Sequence, residues 1–162
     1  MLCLVLADTH ISPSSTRRLP ETLCARLPSV GAVLHAGDVV QPGLLDELSR
    51  FAPTYAVLGN NDHQLRNRLP DRQEFELETL RIAMVHDAGP RRGRPARLHR
   101  WFPDAQVVVY GHSHEPFDGL GVEGQWLFNP GSPTVRKRFP RRTFGLLEIA
   151  SGQLIRHEIL AA

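Results

Sequence analysis

The feature that most constrains this chain is a short apolar run ending in metal-binding side chains, and the repetition of that event. Leu2-Cys3-Leu4-Val5-Leu6-Ala7 leads directly into Asp8-Thr9-His10. An unbroken aliphatic run of this length describes a strand covered on both faces, as in the parallel sheets of α/β proteins. In extended backbone, side chains at i and i+2 leave on the same side. Asp8 and His10 are therefore expected to project together from the C-terminal edge of the strand, where open α/β sheets place their sites. The event recurs at Val33-Leu34-His35-Ala36-Gly37-Asp38, Ala56-Val57-Leu58-Gly59-Asn60-Asn61-Asp62, Ile82-Ala83-Met84-Val85-His86 and Val107-Val108-Val109-Tyr110-Gly111-His112-Ser113-His114. One polar turn after a core strand means little. The same ending on strand after strand means a shared site.

Helix signals separate the first strands. Ser15 or Thr16 can cap a helix to about Leu27, with Pro20 marking a late start or a first-turn proline. Pro42 opens another, with Leu44, Leu45 and Leu48 on one face. Residues 31–36 and 54–58 read as strands, and the alternation predicts parallel pairing. Residues 73–78 and 81–85 lie close enough for a hairpin, 95–102 reads as a short helix, and 106–110 as a buried strand. Residues 117–122 and 125–128 flank a turn at Glu123-Gly124; residues 143–149 and 153–159 flank Ala150-Ser151-Gly152. A parallel first half and an antiparallel second half within 162 residues predict one α/β domain, 1–162, with two mixed sheets face to face and helices outside.

The candidate ligands are Asp8, His10, Asp38, Asn60, His86, His112 and His114. This nitrogen and oxygen set, without thiolate, suits Mn, Fe, Zn, Ni or Co better than thiophilic metals or Ca. It is too large for one tetrahedral site and suits two cations roughly 3.5–4 Å apart, as in hydrolytic metal pairs. One carboxylate must then bridge, and Asp38 is the natural bridge because Gly37 permits close approach. His35, one step inside its strand, reads as a packed core histidine. His63, His99 and His157 lack strand-end context and read as solvated.

Asp8-x-His10, Gly37-Asp38, Gly59-Asn60-x-Asp62, His86 and Gly111-His112-x-His114 follow the order and approximate spacing of the calcineurin-like metallophosphoesterases. With Asn129-Pro130-Gly131-Ser132 near its end, the chain resembles the small one-domain phosphodiesterases of bacteria and archaea, from Leu2 to about Ile159. The resemblance implies a four-layer αββα sandwich and two divalent transition-metal ions, manganese foremost. It assigns Asp8, His10 and His114 to one metal and Asn60, His86 and His112 to the other, with Asp38 bridging; Asp62 is expected to orient Asn60 or His112. It implies phosphodiester hydrolysis by a hydroxide held between the metals. Two positions depart from the pattern. Asn61 stands where stronger catalysts carry a histidine that protonates the leaving group, and Asp87 follows His86 where the family has glycine and then histidine. Asp87 is expected either to orient an imidazole or to have no role.

Composition narrows the alternatives. No apolar run approaches the ~20 residues of a membrane span, and the first residues lack a basic leader. Cys3 and Cys24 are the only cysteines, and Cys3 lies in a core strand; a cytoplasmic protein with free thiols is expected. The net charge of +2 does not by itself point to nucleic acid. Lys137 is the sole lysine, and basic residues crowd into 89–100 and 136–142. A nuclease reading requires those tracts beside the metals; a solvated basic surface is the simpler expectation. The other rival is a non-catalytic interaction scaffold, as in the retromer subunit of this fold, whose metal site is degenerate. The expected partner is a small phosphodiester substrate, with a homodimer left open.

Overall fold

The computed structural model describes residues 1–162. Its strands are β1 (Leu2–Leu6), β2 (Ala32–His35), β3 (Thr54–Ala56), β4 (Arg72–Leu77), β5 (Leu80–Val85), β6 (Val107–Tyr110), β7 (Phe117–Leu120), β8 (Trp126–Asn129), β9 (Thr143–Ala150) and β10 (Gln153–Ala161). Its helices are α1 (Glu21–Cys24), α2 (Pro42–Leu48) and α3 (Arg94–Trp101). No helix is long and apolar enough to cross a membrane. The strands form two five-stranded sheets, ordered β10-β9-β1-β2-β3 and β4-β5-β6-β8-β7.

Strand alternation builds the layers. Cys3, Val5 and Ala7 point into the core between the sheets, where they meet Ile82, Met84, Val107, Val109 and Phe128 from the second sheet. Leu4 and Leu6 point the other way, onto Leu23 of α1 and Leu44, Leu45 and Leu48 of α2. On the far side, Ala83, Val85, Val108 and Tyr110 pack against Leu98 of α3 and Phe102. The order helix, sheet, sheet, helix is the expected αββα sandwich. Both faces of the central strands are apolar because both are covered.

Both sheets are mixed, as expected, but the second half of the chain is not wholly antiparallel, since β5, β6 and β8 pair parallel. β1 pairs parallel with β2 and antiparallel with β9. β6 pairs parallel with β8, which pairs antiparallel with β7. In each sheet three strands run parallel, β1-β2-β3 and β5-β6-β8, so their C-terminal ends gather on one edge of the sandwich.

Helix α1 is far shorter than the expected span. Pro20 is its N-cap in extended conformation, so the chain before it is irregular, and a 3-10 turn follows at Leu27–Ser29. The β7–β8 connection is a 3-10 turn at Val122–Gly124, with Glu123 at φ 53°, rather than a tight two-residue hairpin.

Candidate metal centre

The ends of β1, β2, β3, β5 and β6 carry the predicted ligands onto one edge. They meet there by a different backbone route from the expected one. Asp8 and His10 are not extended: their φ values are 54° and 45°, and Asp38, His112 and His114 are also left-handed, at 57°, 67° and 57°. Non-glycine residues rarely adopt this conformation, and it clusters at functional sites. Here it turns each side chain off the strand direction and back over the sheet edges. It also lets His112 and His114 face different parts of the centre.

Backbone contacts hold the loops together. Asp8 N–H donates to the Gly37 carbonyl at 2.9 Å, and His10 N–H to that of Asp38 at 3.0 Å. Gly59 is required by close approach: a Cβ there would stand 2.1 Å from the Asp38 nitrogen. Gly37, at φ 85°, would place a Cβ 2.6 Å from His86 Nδ1, so glycine is needed there for both conformation and room.

The side chains converge closely. Asp38 Oδ2 lies 3.5 Å from both His10 Nε2 and His86 Nε2. Asp8 Oδ1 lies 3.3 Å from His114 Nε2, 3.8 Å from His10 Nε2 and 4.0 Å from His86 Nε2. His10 Nε2 and His114 Nε2 are 3.3 Å apart. Asn60 Oδ1 is 3.1 Å from His86 Nε2 and 3.0 Å from His112 Nδ1. Asp8, His10 and His114 form one group able to hold a cation, and Asp8, Asp38 and His86 a second; Asn60 and His112 extend the second toward solvent. All the predicted ligands are thus brought together, from buried Asp8, Asp38, His86 and His114 to exposed Asn60 and His112.

The electrostatics suit a cation at this centre. Asp8 is fully buried, and neither of its carboxylate oxygens has a hydrogen-bond partner of good geometry. Burial pushes its pKa up to about 7, against the pull of His86. A buried carboxylate in this state is costly unless a cation meets it. Burial also opposes charge on Asp38, but hydrogen bonds from His86 and Asn61 outweigh it and hold its carboxyl below the usual range. Burial lowers the pKa of His10, and that of His114 to about 4, with Lys137 acting in the same direction on both. Neutral imidazoles are the metal-binding form. His86 Nδ1 is 2.7 Å from the Ala36 carbonyl; donation there leaves its Nε2 lone pair facing the centre. The pKa of His86 is nonetheless raised: burial opposes its charge, and the hydrogen bond to Asp38 with the field of Asp8 prevails.

Several neighbours act differently from expectation. Asp62 hydrogen-bonds to neither the Asn60 nor the His112 side chain. Its carboxylate accepts the backbone N–H groups of Gly59 at 2.7 Å, Asp38 at 2.9 Å and Val40 at 2.6 Å, tying the loop after β3 to the loop after β2. Asp87 accepts Gly89 N–H at 2.7 Å and stays 4.0 Å from His112 Nε2, beyond hydrogen-bond reach. Asn61 donates to Asp38 twice, from its backbone at 2.8 Å to Oδ1 and from its side chain at 2.7 Å to Oδ2. His35 is a packed core residue as expected, 3.1 Å from Thr9 Oγ1. His63 is exposed, as expected. His99 and His157 are not simply solvated. His99 lies 3.5 Å from Glu123, and His157 of β10 lies 2.8 Å from Asp118 of β7, linking the two sheets.

The role of Asn129-Pro130-Gly131-Ser132 emerges only in three dimensions. Ser132 Oγ donates to the Asp8 carbonyl at 2.7 Å and accepts Val135 N–H at 3.0 Å. Asn129 Nδ2 donates to the Gly111 carbonyl at 3.1 Å. The segment after β8 therefore braces the two loops that carry Asp8 and His112.

Two clefts flank the centre, with His112 in the wall of each. One, of about 570 Å³, is lined by Asn60, His86, Arg66, Asp71, Arg72 and Asp87, among others. The other, of about 520 Å³, is lined by Arg91, Ser113, Glu115, Lys137, Arg138 and Phe139.

Residues 1–152 match the family model described as the calcineurin-like phosphoesterase superfamily domain. A protein of Methanothermobacter thermautotrophicus named "Probable metallophosphoesterase" is 37% identical over 137 residues, 83% of this chain and 78% of that one. Another of that name, from Methanocaldococcus jannaschii, is 33% identical over 138 residues, 83% of this chain and 69% of the other. Among solved structures, wild-type Vps29 of Entamoeba histolytica complexed with zinc superposes with a TM-score of 0.77 at 25% identity, covering 99% of each chain.

Proposed function

This chain belongs to the calcineurin-like phosphoesterase superfamily, and from that premise we propose that it is a metal-dependent phosphodiesterase with a two-cation centre. The observation that carries the reading is the buried, unpartnered Asp8 carboxylate among His10, His86, His114 and Asp38. Asp8, His10 and His114 would hold one cation and Asn60, His86 and His112 the other, with Asp38 Oδ2 facing both groups. Bound there, the cations supply Lewis acidity toward a phosphoryl oxygen and toward water near neutral pH. Manganese is the first candidate. Zinc, named with the Entamoeba Vps29 structure, is among the alternatives, and the donor set suits both.

The chain's own residues do the rest. The left-handed loops fix the ligand atoms before any substrate arrives, so little reorganisation is needed. Arg66 and Arg72 can receive anionic oxygens in the cleft beside Asn60 and His86. No imidazole is in place to protonate the leaving group, because Asn61 fills that position and is turned onto Asp38. The leaving group would therefore depart unassisted or take its proton from solvent, which favours diesters with stable leaving anions. Two free cysteines, Cys3 buried and Cys24 exposed, support a cytoplasmic setting. The scaffold alternative is supported by the Vps29 likeness, while the complete ligand set favours catalysis.

The test is hydrolysis of bis(p-nitrophenyl) phosphate by metal-stripped protein before and after adding manganese or zinc, with p-nitrophenyl phosphate alongside. Metal-restored turnover of the diester, exceeding that of the monoester, is expected. Protein that binds metal yet hydrolyses neither ester, nor any diester in a broader screen, would decide for the scaffold.

A further inference from the structure

Two basic tracts distant in sequence meet beside the metal centre. Arg91 comes from the loop before α3, and Lys137 and Arg138 from the segment between β8 and β9. The placement of the second tract is built. Val135 N–H is held by Ser132 Oγ, Thr134 Oγ1 donates to the Thr9 carbonyl, and Ser132 itself is bonded to Asp8. The same hydrogen bonds that brace the Asp8 loop therefore aim Lys137 and Arg138 at the cleft.

The two clefts differ in charge. The one beside His86 balances Arg66 and Arg72 against Asp71 and Asp87. The other sets Arg91, Lys137 and Arg138 against Glu115 alone. Glu115 is committed to Arg91 at 3.5 Å, which leaves Lys137 and Arg138 without an acidic partner in that cleft. Both are exposed, and Phe139 beside them is half-buried. A phosphodiester has two arms, and a scissile phosphate at the shared His112 wall would send one into each cleft. A balanced cleft suits a neutral arm; a cationic cleft suits an anionic one.

We propose that the cleft of Arg91, Lys137 and Arg138 is a subsite for a second phosphate, so that preferred substrates are phosphodiesters carrying a phosphate beyond the scissile one. This rests on the phosphodiesterase reading for the position of the scissile group. The second phosphate belongs either to a nucleic-acid strand, where a sugar separates it from the first, or to a polyphosphate, where it is contiguous. Lys137 and Arg138 bind it through charge-assisted hydrogen bonds, with a guanidinium suited to bidentate contact.

The test compares the p-nitrophenyl ester of thymidine 5′-phosphate with the same ester bearing a 3′-phosphate, using manganese-loaded full-length protein. The extra phosphate is expected to raise kcat/KM by about 10- to 100-fold, mainly through KM, and the advantage should shrink with salt. In a Lys137→Met, Arg138→Met double variant, the ratio of the two esters should fall toward one. Calorimetry reads the subsite without turnover: thymidine 3′,5′-diphosphate should bind more tightly than thymidine 5′-monophosphate by a similar factor. Thymidine 5′-diphosphate is the contiguous-phosphate comparison; whichever diphosphate gains more identifies the source. Hydrolysis of both esters at equal efficiency, with equal binding of mono- and diphosphates, would overturn the subsite and leave the diesterase reading standing. Failure to hydrolyse any diester would overturn the diesterase reading, and the binding ratio would then decide the subsite alone.

Discussion

Asn61 shows how one side chain can both remove and supply a function. An amide cannot transfer a proton near neutral pH, so in the proposed reaction Asn61 cannot supply the ~10²–10⁴-fold that a positioned acid contributes with poor leaving groups. The expected signature is a steep fall of kcat/KM as leaving-group pKa rises across a series of aryl to alkyl diesters. A flat series under chemistry-limited turnover would mean that a proton donor exists elsewhere. The same amide donates to Asp38 Oδ2, the oxygen that faces His10 and His86. Groups that orient a ligand typically matter by 10- to 100-fold in metal affinity. Asn61→Ala is therefore expected to weaken manganese binding by about 10-fold or more in calorimetry, while His63→Ala, on an exposed ring, leaves it unchanged. Equal binding by Asn61→Ala and the unmodified protein would show that the amide merely rests on the carboxylate. Asn61→His would lose this hold while gaining an imidazole, so leaving-group effects must be read together with metal occupancy.

At the scale of loops and strands, Asp62 joins two ligand-bearing segments through three backbone N–H groups. Deleting its carboxylate strands buried donors, each costing about 1–3 kcal/mol when left unpaired. With partial relief by water, Asp62→Ala is expected to lower stability by about 2–4 kcal/mol in urea denaturation of metal-free protein, and Asp62→Asn by less because one acceptor oxygen survives. An Asp62→Ala protein with unchanged stability would refute the clamp. The strands bearing the ligands are legible in the sequence, since burial on both faces leaves an apolar run whose polar end is conspicuous. The hairpins and α3 are legible from turn residues and spacing. Other features depend on relations that local pattern does not encode. The left-handed conformations of Asp8, His10, His112 and His114 are imposed by loops docking on one another. The parallel pairing of β8 with β6 follows from sheet order. The bracing by Asn129 and Ser132, and the meeting of Arg91 with Lys137, join residues far apart in the chain. Helix α1 shrinks because Pro20 in extended conformation ends any helix that Thr16 could start.

Across the whole molecule, the sandwich pays for its site by burying polar groups beside the core. His35 is the clearest case, because it is fully buried at the C-terminal end of β2, inside the first sheet. Its one contact of hydrogen-bonding type is with Thr9, and Nδ1 has no partner. Burial lowers its pKa to about 3, with the charge of His86 acting in the same direction. The folded protein thus keeps His35 neutral at pH values where the unfolded chain protonates it. Below the unfolded value near 6.5, unfolding takes up a proton, so stability falls as pH drops from about 6.5 toward 3. His10 and His114, also lowered, add to this slope. Asp8 and His86, both raised, oppose it. Replacing His35 isolates its share. At pH 5 the protonation of the unfolded chain at this position amounts to about 2 kcal/mol. His35→Gln is expected to be destabilising at pH 7, where a packed ring is lost. That deficit should narrow by about 2 kcal/mol at pH 5, measured by urea denaturation in EDTA so that metal binding does not enter. Parallel stability curves for the two proteins between pH 7 and pH 5 would mean that the folded state opens to protonate His35. The first sheet would then be looser at the C-terminal end of β2 than its packing indicates.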